Sequence, residues 1–420
     1  MSSLYLRELS RLPSLTTAMA FHPIEPLIAT SSIDGIVTLW RMSEDETNWT
    51  LVSTLRGHSK TVWTISFDRT GHFMATGSDD KTAIIYRLLT DGAAPTPIST
   101  LVGHVDWVRS VTFDSTGQFV ATGSCDNTAL VWLVLSDGPA RTPVSTLKGH
   151  NDWVRSVAFD PSGRFFATCS DDKTARVWRV QPDGNVDQSH ISTLSGHNSY
   201  VLSIAFDPTG NFLATGSSDM TARIWGIQPD DDTNWTCLAI LTGHRSIVQS
   251  VAFHPHGLFL VTGSTDKTVK IWVLSQDKSL AKCIDTLTYQ DGVNQVQFHP
   301  GGKFFSILLD DCSLTLYDCS GLTNRALRLN LLGSQAMSQL VATRLSADPT
   351  STDWGLDIRR EHKITSRVDA KNPSLHVPLL TSEEAQAKVK DNLEKKNQSG
   401  KGRRITRKKR KINKRHSYRK

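Results

Sequence analysis

The 420-residue sequence has no apolar run long enough to cross a membrane, and residues 1–14 lack the uninterrupted apolar core of a secretory signal peptide. Its cysteines are scattered and include no Cys-x-x-Cys pair. This pattern is typical of reduced, buried or half-buried thiols, and we expect an intracellular protein without a metal or other cofactor. The six cysteines are Cys125, Cys169, Cys237, Cys283, Cys312 and Cys319.

A repeated pattern of short strands occupies most of the chain. Within residues 147–178, three alternating or apolar runs (154–159, 165–170 and 174–178) are separated by turn residues, which predicts three strands. A Gly-His pair precedes this unit and an aromatic residue ends it. The Gly-His pairs, spaced by 46 or 47 residues, begin at Gly57, Gly103, Gly149, Gly196 and Gly243. The closing aromatic residues are Trp40, Tyr86, Trp132, Trp178, Trp225, Trp272 and Tyr317.

These two markers at this period indicate the blade of a β-propeller. Over residues 4–320, about three quarters of the chain, the sequence resembles the WD40-repeat family. The resemblance implies an all-β fold, a seven-bladed propeller. It does not select a function, because WD40 rings serve signalling, chromatin, RNA processing, transport and ubiquitin ligases alike.

The first segment is predicted to be an outer strand that has no inner strands of its own. Leu6 and Leu9 lie as far before the strand predicted at 15–21 as the outer strand at 52–55 lies before the strand at 64–67. In the WD40 family, a strand from one terminus often completes the blade formed by the other, which removes an open sheet edge. We expect the N-terminal strand to complete the last blade, with residues 325–331 as the alternative. Polar linkers such as 91–97, 137–143 and 229–233 are expected to form surface loops.

Five blades repeat a His, a Thr, an Asp and an aromatic residue. In the WD40 family, such residues form a hydrogen-bonded relay within the blade, in which the imidazole joins a turn carboxylate to a strand hydroxyl. A hydroxyl, His and Asp set also suggests a hydrolase, but five copies argue against an active site and we predict no enzyme. In blades 3 and 4 the relay residues are His104, Thr122, Asp126, Trp132, His150, Thr168, Asp172 and Trp178.

Blades 1 and 7 depart from the repeated set. Arg11-Leu12 and Tyr289-Gln290 stand where the other blades have Gly-His, and Ile307 replaces the hydroxyl residue of blade 7. We therefore expect incomplete relays there and the softest part of the ring.

The non-repeating side chains at the mouth of the ring are the candidates for binding. By the family resemblance, residues flanking each first strand, and the residue before each turn Asp, point to the top face. Trp, Tyr and Arg are enriched in binding hot spots, so we predict a protein partner there, as a peptide or loop. Alternatively, Asp-Trp-Val-Arg-Ser is only a repeated blade sequence with the Trp wedged between blades. The predicted partner-binding residues are Trp63, Asp79, Trp107, Arg109, Trp153, Arg155, Asp171 and Tyr200.

The net charge of +6 conceals a basic tail. Residues 401–420 contain twelve Lys or Arg and no acid, which leaves 35 basic against 41 acidic residues elsewhere. Three interpretations remain open: a nuclear localisation signal, binding of DNA or RNA phosphates without sequence preference, or contact with an acidic protein or membrane surface. The candidate residues are Arg403, Arg404, Arg407, Lys408, Lys409, Arg410, Lys411, Lys414 and Arg415.

The predicted organisation is a propeller over 1–320, an irregular extension over 321–380, a short helix over 381–397 and a disordered basic tail over 398–420. We expect a non-catalytic scaffold that binds a partner on its top face, with a tail for nucleic acid or nuclear targeting. The ring is expected to be monomeric, without membrane insertion, and nuclear rather than cytoplasmic. The alternative is a structural protein of a ribonucleoprotein or DNA-containing particle, in which the tail is the main binding site.

Overall fold

The computed structural model describes residues 6–9, 15–43, 49–88, 94–134, 142–181, 183–228, 231–319 and 321–322. In these residues, 28 strands form seven antiparallel sheets of four strands each. The seven sheets confirm the predicted all-β, seven-bladed propeller. The predicted helix at 381–397, the tail at 398–420 and all but the start of the predicted extension lie outside the described residues.

Each blade uses consecutive strands, except the last. The first strands are β2 (Thr16–Phe21), β6 (Val62–Phe67), β10 (Val108–Phe113), β14 (Val154–Phe159), β18 (Val201–Phe206), β22 (Val248–Phe253) and β26 (Val293–Phe298). The second strands are β3 (Leu27–Ser32), β7 (Phe73–Ser78), β11 (Phe119–Ser124), β15 (Phe165–Ser170), β19 (Phe212–Ser217), β23 (Phe259–Ser264) and β27 (Phe304–Leu309).

The outer half of each blade is more variable in length. The third strands are β4 (Ile36–Met42), β8 (Thr82–Arg87), β12 (Ala129–Leu133), β16 (Ala175–Val180), β20 (Ala222–Gln228), β24 (Thr268–Leu274) and β28 (Leu314–Asp318). The fourth strands are β5 (Trp49–Arg56), β9 (Thr96–Val102), β13 (Ser145–Leu147), β17 (Val186–Leu194), β21 (Asp231–Leu241), β25 (Ala281–Thr288) and, in blade 7, β1 (Leu6–Leu9). Strand β9 begins inside the segment 91–97 and β21 inside the segment 229–233, so the prediction of loops there was wrong over the last two and the last three residues.

The apolar core lies between neighbouring blades. All six residues of β11, of β15 and of β23 are buried, because each of these strands has a sheet neighbour on both sides and a blade against each face. One core cluster joins Ile85 of blade 2 to Val111 and Trp132 of blade 3. The first strands contact one another in sequence around the whole ring, from β2 to β26 and back, and therefore line its centre.

Hydrogen bonds from side chains also connect successive first strands. The Ser110 hydroxyl accepts a bond of 3.1 Å from the backbone N–H of Val157 in the next blade. Ser203 and Ser250 accept equivalent bonds of 3.1 Å from Val251 and Val296. These bonds satisfy backbone groups that face a neighbouring blade rather than a strand partner. The sequence analysis did not predict them.

The ring closes where the two ends of the propeller meet. Strand β1 pairs antiparallel with β28, with Leu6 opposite Tyr317 and Leu9 opposite Leu314, which confirms closure by the N-terminal strand. On the inner side, the Gln295 amide accepts a bond of 2.9 Å from the backbone N–H of Met19 and donates one of 3.0 Å to its carbonyl. Closure thus uses both the outermost and the innermost strand of blade 7.

The cysteines largely follow expectation. Cys125, Cys169 and Cys319 are buried, and Cys283 and Cys312 are half-buried. Cys237 is exposed, contrary to the expected burial, because it lies on the outer strand β21. In the part of the chain that the structure describes, no helix is long and apolar enough to cross a membrane.

Deleting residues 1–9 tests the closing strand. We expect the free energy of unfolding to fall by about 2–4 kcal/mol, because the β1–β28 ladder is lost and the β28 edge becomes open to other chains. Guanidinium unfolding and size-exclusion chromatography measure the two effects. Deletion of residues 1–5 alone, which leaves β1 intact, is the control. Equal stability of the two deletions would contradict a closing role for β1.

Candidate functional site

A relay of hydrogen bonds crosses the top of blade 4. His150 lies between Asp172 and Thr168, with Nδ1 2.7 Å from the Asp172 carboxylate and Nε2 2.8 Å from the Thr168 hydroxyl. Since a carboxylate only accepts, Nδ1 carries the proton and Nε2 accepts from Thr168. Trp178 Nε1 donates to the same hydroxyl over 3.1 Å. Every polar group of the set therefore has a partner.

The turn carboxylate organises the backbone on both sides of it. Asp172 also accepts bonds of 3.1 Å from the backbone N–H of Asn151 and 3.0 Å from that of Thr174. Burial alone would raise the pKa of Asp172, but the bonds from His150 and Thr174 outweigh it and hold the pKa well below its usual range. The folded state therefore stabilises the ionised form of Asp172.

The other blades repeat this relay to different degrees. In blade 3, His104 is 2.8 Å from both Asp126 and Thr122, and Trp132 donates to Thr122 over 3.0 Å. Blades 5 and 6 show the same contacts. Blade 2 retains those of His58 with Asp80 and Thr76.

The relay is incomplete in the two end blades. In blade 1, Trp40 donates to Thr30 over 2.9 Å, but the segment 10–14, which would carry the histidine position, lies outside the described residues. In blade 7, Ile307 is buried at the hydroxyl position and Gln290 stands where the histidine would be. Burial raises the pKa of the preceding Tyr289, which replaces the glycine. The missing hydroxyl in blade 7 agrees with the incomplete relay predicted there. The lower stability expected for blades 1 and 7 stays a prediction.

The relay fixes the top face, which we define as the end of the ring that carries the histidine loops and the turn aspartates. Each first strand has a β-bulge just below this face. In blade 3, Val108 pairs with Ser124 and Ser110 with Gly123, so Arg109 has no opposite residue in the ladder. A bulge redirects a side chain out of the regular alternation. The bulge residues of the seven blades are Thr17, Trp63, Arg109, Arg155, Leu202, Gln249 and Asn294.

Blades 2 and 3 meet at a stacked pair on this face. The Trp63 indole donates a short hydrogen bond to Asp79 of its own blade. The Arg109 guanidinium lies over the Trp63 ring, with Cζ 3.9 Å from the ring centroid. This is a cation–π contact across a blade boundary, and the half-buried setting strengthens it.

Blade 4 holds an ion pair in the corresponding place. Arg155 Nε lies 2.8 and 2.9 Å from the two oxygens of Asp171, and Nη2 lies 2.6 Å from one of them. The same guanidinium lies 4.8 Å from the Trp153 ring centroid. Burial opposes the charge of Arg155, but the bonds to Asp171 prevail and raise its pKa.

An aromatic rim joins the two arrangements. The Trp107 and Trp153 rings are 6.1 Å apart at an interplanar angle of 53°, and Trp107 is 37% exposed. The structure thus brings together seven of the eight predicted residues. We call them the top-face cluster: Trp63, Asp79, Trp107, Arg109, Trp153, Arg155 and Asp171. Tyr200 of blade 5 is 46% exposed, and within the described residues its side chain makes no hydrogen bond, ion pair or ring contact with the cluster.

The structure adds apolar residues that the sequence analysis missed. Val105 follows the histidine of blade 3 and is 75% exposed, while Met220 is exposed in the turn of blade 5. Both depart from the repeat, because sister blades carry Ser, Asn or Arg after the histidine and mostly Lys in the turn. These departures from the repeat could have identified both residues from the sequence. Within the described residues, no cluster of His, Cys, Asp or Glu is suited to a metal ion.

Comparison with protein families agrees with this architecture. The model of the WD domain, G-beta repeat matches residues 13–41, 49–87, 95–132, 141–179, 188–226 and 235–273, more than half of the chain. The chain therefore belongs to the WD40-repeat family, and the structure adds a seventh blade beyond the six matched repeats. A search of curated proteins found no match. WD40 propellers are generally protein-interaction scaffolds and typically not enzymes.

Replacing Asp172 by Asn tests the relay. The variant removes an acceptor shared by His150 and the Asn151 backbone, so we expect a loss of about 2–4 kcal/mol in the free energy of unfolding. Asp34→Asn in the turn of blade 1 is the matched control, and we expect less than about 1 kcal/mol there because Asp34 is exposed. Equal losses would refute a special role for the relay.

The relay also predicts that the free energy of unfolding depends on pH. Hydrogen bonds overcome burial and lower the pKa of Asp126, Asp219 and Asp266 to about 2, so the unfolded chain takes up their protons first as the pH falls. Burial also lowers the pKa of His197 and His244. Below the ordinary pKa of histidine, the unfolded chain therefore binds these protons more readily, and stability again falls as the pH falls. Denaturant titrations should show stability falling on acidification, and Asp172→Asn should flatten the lower, carboxylate part of that profile. An unchanged profile would contradict this account.

Proposed function

We propose that this protein is a non-catalytic scaffold that binds a protein partner, as a peptide or loop, on the top-face cluster. The observation that carries the proposal is the concentration of two exposed or half-buried tryptophans and two arginines on adjacent blades, 3 and 4. Trp and Arg combine contact area with directed polar groups, and hot spots are enriched in them. The remaining blades do not repeat this combination in the parts that the structure describes.

The exposure of Trp107 supports binding over a purely structural role. A tryptophan wedged between blades resembles Trp132, whose side chain is fully buried in the core. Trp107 instead leaves 37% of its surface accessible beside Val105. An exposed aromatic and apolar surface of this kind is typical of an interaction site.

The relay residues support the non-catalytic assignment. The hydroxyl-bearing Thr122 and Thr168 are completely buried and already bonded on both sides, so neither is positioned to reach a substrate. We accordingly assign the relay a structural role and propose no catalytic residue and no cofactor. We further propose a monomeric ring, since β1 covers the edge of β28 that would otherwise be open to pairing with another chain.

Replacing Trp107 and Trp153 together by Ala tests the proposed surface. We expect the affinity for partners that co-purify with the tagged full chain to fall about 30-fold or more, as for the loss of a hot spot. Quantitative mass spectrometry identifies the partners and titration with the purified partner gives the affinity. Leu280→Ala, at an exposed apolar side chain in a loop between third and fourth strands, is the control. Unaltered affinity in the double variant would reject this surface.

For the basic tail we propose binding of nucleic acid, nuclear targeting, or both. The support is its composition, twelve Lys or Arg without an acid over 401–420, against an excess of acids elsewhere. With Tyr418 as its one aromatic residue, charge rather than base stacking would dominate the binding. The second candidate function, a structural protein of a nucleic-acid-containing particle, rests on this same feature.

Fluorescence anisotropy of labelled duplex DNA and RNA tests the tail. We expect the full chain to bind with an affinity that falls steeply with salt, by a slope of about −0.9 per neutralised phosphate on DNA. Replacing Arg407, Lys408, Lys409, Arg410 and Lys411 by Gln should weaken binding and reduce the slope. Lys81 and Lys267, whose amines bond backbone carbonyls of the next blade, serve as control positions on the ring. If the full chain binds neither polymer, nuclear import of a tagged full chain decides the targeting role.

A further inference from the structure

Arg109 is a half-buried cation whose hydrogen-bond donors are unused. Its guanidinium is stacked on the Trp63 ring at 3.9 Å, a contact that leaves the N–H edge of the group free. Among the residues that the structure describes, this guanidinium makes no hydrogen bond and no ion pair. Because the bulge and the stacking on Trp63 fix the position of the guanidinium, the group is preorganised for a ligand.

The neighbouring blades show why Arg109 lacks a partner. In blades 2, 3 and 4, the bulge residue is near the residue that precedes the turn aspartate. In blade 4 that residue is Asp171, which takes the whole fork of Arg155, and in blade 2 it is Asp79, which takes the Trp63 indole. In blade 3 the position holds Cys125. Burial raises the pKa of this thiol to about 11, so it is neutral at physiological pH and cannot act as a counter-ion.

The electrostatic environment favours an incoming anion at this point. Burial, and then the charge of Arg155, lower the pKa of Arg109, which means that the surroundings disfavour its cation. Asp79 and Asp171 act in the opposite direction but are engaged by Trp63 and Arg155. A carboxylate that accepts from Arg109 would supply the charge-assisted bonds that the blade itself does not provide.

The rim beside Arg109 is apolar. Trp107 precedes it by two residues, Trp153 lies 6.1 Å from Trp107, and Val105 is 75% exposed. A ligand that reaches Arg109 therefore contacts aromatic and aliphatic surface next to the charged group.

We propose that Arg109 recognises a single carboxylate, an Asp or Glu in an exposed segment of the protein partner, while an adjacent apolar side chain of that segment packs on Trp107 and Trp153. This inference rests on the proposed function, because it assigns the chemistry of the partner to the same surface. It predicts a preference for an acidic residue next to an aromatic or aliphatic one.

The local charges favour a carboxylate over a phosphate. The four charged side chains of the top-face cluster, Asp79, Arg109, Arg155 and Asp171, sum to zero, so one carboxylate gives the bound site a charge of −1. A phosphate would bring close to two negative charges near the carboxylates of Asp79 and Asp171. Repulsion between these like charges is costly where solvent is partly excluded. Nucleic acid is disfavoured on this face for the same reason.

Selection of short random peptides displayed on phage against the immobilised full chain tests the inference. We expect enriched peptides to share an Asp or Glu beside an apolar residue. Synthetic fluorescein-labelled copies should lose about tenfold or more in affinity towards Arg109→Gln, by anisotropy, and a similar factor when their acidic residue becomes Asn or Gln. Arg245→Gln, at an exposed arginine on the same face of blade 6, should retain full affinity. Arg109→Lys, which keeps the charge without the fork, should fall between these limits.

The outcomes separate the two proposals. Peptides that need Trp107 and Trp153 but bind Arg109→Gln as well as the native chain would overturn the carboxylate inference and leave the proposed function standing. Tighter binding when phosphoserine replaces the acidic residue would also overturn it. Enriched peptides insensitive to every cluster variant, or no enrichment at all, would reject both proposals. Unchanged thermal unfolding of Arg109→Gln and Arg109→Lys establishes that lost affinity is not lost folding.

Discussion

The hydrogen bond between the histidine and the turn aspartate is the interaction on which the top face depends. It joins the loop that enters a blade to the turn between the second and third strands, two segments 22 residues apart in sequence. Together with the bond from the Asn151 backbone to the same carboxylate, it fixes the position of the loop relative to the turn. The buried threonine and tryptophan extend the bond into the blade core, so the loop geometry is fixed to the best-packed part of the sheet.

The histidine–aspartate bond is repeated in five blades, so small departures of one blade from the others become informative. Asp106-Trp-Val-Arg-Ser-Val in blade 3 and Asp152-Trp-Val-Arg-Ser-Val in blade 4 are identical in sequence. Their arginines nevertheless have different environments, since blade 4 supplies Asp171 and blade 3 supplies Cys125. A scaffold that repeats its structure can thus place one paired and one unpaired guanidinium side by side.

Much of the fold follows from the sequence because its markers are periodic. The spacing of Gly-His and aromatic residues sets the blade count, and the offset of Leu6 and Leu9 identifies the closing strand. The relay contacts also follow, since donors and acceptors match by residue type. The bulges do not, because the two polar residues between Val108 and Val111 break the strand alternation without showing which of them is unpaired. The stacking of Arg109 on Trp63 depends on a neighbour 46 residues earlier, and no local pattern encodes it.

Strand β1 has a consequence for how the chain is made. Leu6 pairs with Tyr317, so β1 must wait until almost the whole propeller has been synthesised before its partner strand exists. Blades 1 to 6 can form their own four strands as they emerge, because each is contiguous in sequence. The last blade cannot. Until β28 has been synthesised, the nascent propeller therefore carries an unpaired strand that chaperones and other chains can reach.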